Sequence, residues 1–211
     1  MRQMPALAAV ALLLAGCGLT RVDEAAVGRL PLEAKLDLIE AENDLFIAID
    51  AVDEAANRLG ETRDDYHNAD NRIAEAKESL KQAEIANDPK LIEVGKLSVQ
   101  ESKDRKDFLD SWVDVMAAML DVEKSKLDLA RARYERNRAQ AVKKANVEGA
   151  QKITLADFDK QVAGLEADVK SQLAKAQAQN AAAEKVRGTW YATRRVLAGK
   201  TGGAQGSPWV E

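Results

Sequence analysis

Residues 38–83 read LIEAENDLFIAIDAVDEAANRLGETRDDYHNADNRIAEAKESLKQA, and one heptad register runs through them unbroken. One set of sevens is Leu38, Leu45, Val52, Leu59, Tyr66, Ile73 and Leu80; the interleaved set is Ala41, Ala48, Ala55, Thr62, Ala69, Ala76 and Ala83. Residues alternately three and four apart form one stripe along a helix, and a strict repeat of seven keeps that stripe on a partner through gentle supercoiling. The alanine layer lets a neighbouring backbone approach, and the larger side chains fill the space between. The stretch therefore predicts one long helix over about 31–86, roughly 80 Å at 1.5 Å per residue. Gly60 interrupts it at a cost of about 1 kcal/mol relative to Ala. A second apolar line, Ile39, Phe46 and Ile49, flanks the seam in its N-terminal half and predicts two neighbours there.

The remaining sequence supplies the partners. Aromatic residues are only 4% of the 211 and charged residues 31%, which suits long helices better than a thick globular core. Asn87-Asp88-Pro89 is a stop, because Pro89 biases Asp88 away from helix. A second helix follows over about 90–146, its seam built from Leu109, Val113, Met116, Leu120, Leu127, Ala130, Tyr134 and Ala141 and broadened by Phe108, Trp112, Val115 and Met119. The polar run 98–107 is expected to face water. Gly149 marks the next break, where a left-handed conformation is free to form. The third helix, about 155–198, carries the seam Leu155, Phe158, Val162, Leu165, Val169, Ala176, Ala183, Val186, Trp190 and Leu197. Arg194 and Arg195 complement its dipole and Gly199 is the expected cap. Residues 199–211 read as a disordered tail.

The fold expected is all-α: an elongated antiparallel three-helix bundle made of long coiled-coil hairpins. Counting outward from the two turns places Tyr66, Trp112 and Trp190 in one aromatic layer. It also leaves residues 72–105 as a bare two-helix hairpin projecting by about 25 Å. Ile73, Leu80, Leu91, Ile92 and Val94 at that tip are the expected protein-contact surface, since only a two-helix seam would cover them.

The N-terminus has its own pattern. Arg2 precedes an apolar run over residues 6–14, too short to span a bilayer as a mature helix, and Leu14-Ala15-Gly16-Cys17 follows. This tetrapeptide resembles the lipobox of bacterial lipoproteins. The resemblance implies that 1–16 is a signal peptide cut between Gly16 and Cys17, and that the Cys17 thiol takes a diacylglycerol. Residues 17–30 are then the lipidated cysteine and a flexible tether, reaching about 40 Å when extended. In that family an Asp after the cysteine retains the protein in the inner membrane of Gram-negative cells. Gly18 stands there instead, which implies the periplasmic face of the outer membrane; in a Gram-positive cell the anchor would be the cytoplasmic membrane.

Residues 127–186 carry a second resemblance. Leu127-Asp128-Leu129-Ala130-Arg131, a turn containing Gly149, then Ile153-Thr154-Leu155-Ala156-Asp157-Phe158 and an alanine-rich helix are similar to the α-helical hairpins of efflux adaptors and outer-membrane factors. No lipoyl-like or β-barrel segment flanks them.

No catalytic, cofactor or metal residue is assigned, and the chain reads as a non-enzyme. It shows no nucleophile elbow, Gly-rich phosphate loop or Cys/His cluster. His67 between Asp64 and Asp70 is the one grouping that a metal-binding or enzymatic reading can use, and it falls short of the three or four fixed ligands of a tight site. Lys185, Arg187, Arg194, Arg195 and Lys200, near Trp190 and Tyr191, either bind an acidic ligand or complement the helix dipole around a core tryptophan. The 31 basic and 35 acidic residues are interspersed, net −4, so no nucleic acid is expected. The function expected is that of a lipid-anchored structural spacer or protein-interaction rod, with the membrane and an envelope protein as partners. Self-association through the alanine seam, and service as an accessory subunit of an efflux or secretion complex, stand as alternatives.

Overall fold

The computed structural model describes residues 18–203, in which all regular structure is helical. In chain order the elements are α1 (Glu24–Gly28), α2 (Leu32–Leu36), α3 (Ile39–Ile85), α4 (Pro89–Ala145), a 3₁₀ turn (Ala150–Lys152) and α5 (Leu155–Thr201). The long helices pack against one another, giving an all-α bundle of helical hairpins. The proposed signal peptide, the Gly16-Cys17 cleavage point, Cys17 itself and residues 204–211 of the expected tail lie outside the described residues.

The turns follow from local chemistry. Asp88 accepts hydrogen bonds from the Lys90 and Leu91 amides at 2.9 and 3.2 Å, and Pro89 occupies the first helical position, where a missing N–H is harmless. Asn87 supplies the left-handed residue before it, at φ 50°. At the second break Asn146 and Gly149 turn the chain at φ 49° and 99°. The third helix corrects the expected cap. α5 passes through Gly199 to Thr201, and Gly202 and Gly203 take the left-handed conformation, the Gly203 amide closing on the Ala198 carbonyl at 3.0 Å.

The chain forms two compact units, one of residues 18–52 with Glu123–Ser171, the other of Asp53–Val122 with residues 172–203. In the first, two expectations fail. The helix expected over 31–86 is interrupted: the Asp37 amide bonds back to Glu33 and Lys35, ending α2, and α3 starts at Ile39. Leu38 at this break is buried in the core. The expected flexible tether is also absent from Thr20 onward. Val22, Ala26 and Leu30, spaced by four, bury one stripe of α1 and its flanks against Ala139, Val142, Ala150 and Phe158. The apolar spacing in Val22–Ala26–Leu30 is a helical signal hidden among Gly and charged residues.

In the second unit the α3 seam is as expected at Leu59, Thr62, Ala69, Ala76 and Ala83, all buried. On α5 Ala176, Ala183, Trp190 and Leu197 are buried, as its seam requires. On α4 Leu109 of the expected seam and Val115 beside it are buried, and the buried line also takes in residues that the seam left out, Glu101, Asp104, Ala118 and Val122, all at most 8% exposed. Gly95 belongs to the same close approach, because a Cβ added there would lie 3.0 Å from the Leu80 Cα. The hairpin over 72–105 is not bare either. α5 reaches it, and Lys200 pairs with Glu93 at 2.8 Å.

Candidate functional site

Three features are assembled enough to do something. The first is the strap of residues 18–30. The Thr20 amide donates to Gln161 Oε1 at 3.1 Å, and the Val22 amide to Glu135 Oε2 at 2.9 Å. Asp23 caps α1 by accepting from the Ala25 amide at 3.0 Å. Glu24 pairs at 2.6 Å with Arg138, whose other nitrogen donates to Glu135 at 2.7 Å. Burial pulls the Arg138 pKa down, but the hydrogen bond to Glu24 and the charges of Glu135 and Glu24 outweigh it and move it up. Farther along, Arg29 meets Glu148 at 3.1 Å, so the strap also covers the turn of the α4–α5 hairpin.

The second is a polar cluster inside the second unit, within the run expected to face water. Glu101 is 7% exposed and its Oε1 accepts from the Trp190 indole at 2.7 Å. Asp104, 8% exposed, accepts from the Thr193 hydroxyl at 2.5 Å and the Gln100 amide at 2.7 Å. Arg105 lies over the Trp190 ring, 5.7 Å from its centroid. Its pKa is lowered by burial, partly offset by the Glu101 and Asp65 charges. Trp190 stacks on Phe108 at 5.4 Å and on Tyr191 at 4.9 Å, with Trp112 at 5.7 Å from Phe108. The aromatic layer thus forms around Trp190, without Tyr66. Tyr66 sits instead beneath Lys106, 5.2 Å from its ring centroid. Trp190 thus meets Phe108 and Glu101 of α4, four and eleven residues before the Trp112 expected opposite it.

The polar cluster binds side chains to one another rather than presenting them. Asp104, Asp107, Asp110, Ser111, Lys185 and Thr189 line an open groove of about 560 Å³ beside it. The basic end of α5 is likewise engaged: Arg187 donates to Glu184 at 2.9 Å and to the Tyr191 hydroxyl at 3.2 Å, and Arg194 lies over Trp190. Of the grouping around His67, Asp70 is held by Lys106 at 2.6 Å, which raises the lysine pKa through that hydrogen bond. Among the described residues no three His, Cys, Asp or Glu side chains are grouped to hold a metal ion.

The third feature is exposed apolar surface. At the α3–α4 turn Ile85 is 76% and Leu91 50% exposed, whereas Ile73, Leu80, Ile92 and Val94 are half-buried. Of the five tip residues chosen from sequence, Leu91 alone is fully offered to a partner. The larger set lies in the first unit: Leu32, Leu36, Ile39, Phe46 and Ile47 are 54–68% exposed. Ile39 and Phe46, seven apart, share one line on α3. These are two members of the second apolar line visible in the sequence; its third, Ile49, is half-buried, and among the described residues Ile39 and Phe46 stay exposed. Between Lys35 and Arg58 the chain has seven acidic residues and no basic one. The stretch that carries Ile39, Phe46 and Ile47 is therefore acidic.

No helix among the described residues is long and apolar enough to cross a membrane. Comparison with known protein families, with curated proteins and with solved structures gave no match to this chain.

Proposed function

We propose that the protein is anchored by lipid on Cys17 to the periplasmic face of a bacterial outer membrane and works by protein-protein contact rather than by catalysis. The anchor rests on the lipobox resemblance of Leu14-Ala15-Gly16-Cys17. The contact rests on one observation, the exposed Ile39, Phe46 and Ile47 on an acidic stretch of α3. An uncovered apolar face of this kind is a contact surface. The acidity of that stretch favours a partner that presents an apolar helix face flanked by lysine or arginine. A photo-crosslinking residue in place of Phe46 tests this in cells. The expected result is a discrete adduct of higher mass, absent when the same residue replaces exposed Asp168 on α5; equal labelling at both positions would contradict it.

A second reading, an accessory subunit docking on a channel through a hairpin tip, is favoured by Ile85 and Leu91 at the α3–α4 turn. Adducts from Leu91 but not from Phe46 would select it.

A further inference from the structure

Only Gly18 and Leu19 separate Cys17 from Thr20, which the folded body holds. The chain is pinned at Thr20 by Gln161 and at Val22 by Glu135. Below these bonds Val22, Ala26 and Leu30 are buried in the core of the first unit, at 5%, 3% and 4% exposure. Glu24 adds the ion pair to Arg138. Three residue steps separate Cys17 from Thr20, and they extend to at most about 11 Å. Left free to Pro31, the same chain would reach about 45 Å.

We propose that the strap seats the first unit directly on the bilayer, so that a phospholipid surface, and not open periplasm, lies against the body next to Thr20 and Gln161. This rests on the lipid-anchor reading and goes beyond it, because an anchor alone leaves the distance open. Acyl chains on the Cys17 thiol must enter the hydrocarbon, which keeps the Cys17 backbone at headgroup level. The polypeptide wall at Gln161 then stands within about 20 Å of the headgroups. Docking of the strap, rather than its length, sets that distance.

The test uses the lipidated full chain floated with phosphatidylethanolamine/phosphatidylglycerol vesicles that contain an acceptor-labelled phosphatidylethanolamine. A donor dye is placed on Lys160→Cys, an exposed position beside Gln161. Thioether formation at Cys17 leaves the new cysteine as the single free thiol. Two comparison proteins carry the same label. One has twelve Gly/Ser residues inserted between Gly18 and Leu19, which leaves the strap docked and adds a coil of about 20 Å. The other carries Val22→Asp with Ala26→Asp, which undocks the strap, far-UV circular dichroism confirming that the long helices remain. The native protein is expected to give at least twice the energy transfer of either. Equal transfer in native and insertion proteins, with all floating, overturns the seating and leaves the anchor reading intact. Transfer in the double variant at the native level overturns the strap as its cause. A chain that fails to float and lacks lipid on Cys17 brings down the anchor reading, and the seating with it.

Discussion

At the scale of single residues, the second unit is specified by polar side chains as much as by apolar ones. Trp190 and Glu101 meet in the interior, and each satisfies a group that would otherwise be buried without a partner. Trp190→Phe keeps the ring but removes the indole donor. It is expected to cost about 1–2 kcal/mol by urea denaturation, while Glu101→Gln, which still offers an acceptor, costs less. Gly95→Ala is expected to destabilise by about 1–3 kcal/mol in the same assay, because its methyl would press on the Leu80 backbone at 3.0 Å. Neither contact was legible in the sequence. A heptad reading ranks residues by apolarity, so on α4 it includes Leu109 and Val115, which are buried, and passes over Glu101, Asp104 and Ala118, which are buried as well. The buried line is the one whose small or hydrogen-bonded side chains allow helices on both sides to come close.

Among the elements, the three long helices were legible and the short ones were not. Seams such as Leu59–Thr62–Ala69–Ala76 repeat often enough to fix a helix and its inner face, and Pro89 and Gly149 mark the breaks by backbone chemistry alone. α1 has five residues, and three apolar side chains at intervals of four give too short a period to stand out between Gly18, Gly28 and Pro31. Its helix exists because Asp23 caps it and the first unit buries it. Leu30→Ala should therefore lower stability by about 2–4 kcal/mol. Tryptic cleavage after Arg29 should also become several-fold faster at native temperature, as the undocked strap enters the protease site. Unchanged cleavage would mean that Leu30 does not hold the strap.

For the molecule as a whole, the buried seams and the proposed contact face are different surfaces. Ile39 and Phe46 contribute little to the core, being 55% and 57% exposed, so replacing both with glutamate should change unfolding free energy by less than about 1 kcal/mol. The same change should abolish the Phe46-directed contact with a basic, apolar partner, which co-purification of the crosslinked partner reads directly. The sequence located this line as Ile39, Phe46 and Ile49. It could not show whether the line was covered inside the chain, since burial by a neighbouring helix and burial by a partner demand the same residues. The proposed location of the protein and the proposed seating of the first unit both rest on the lipid anchor. The decisive measurement is the intact mass of the full chain recovered from the membranes of a Gram-negative host, beside Cys17→Ser. The expected product begins at Cys17 and carries the mass of a diacylglycerol, with the serine protein unlipidated. A wild-type chain still starting at Met1, or cut elsewhere and bearing no lipid on Cys17, would contradict it.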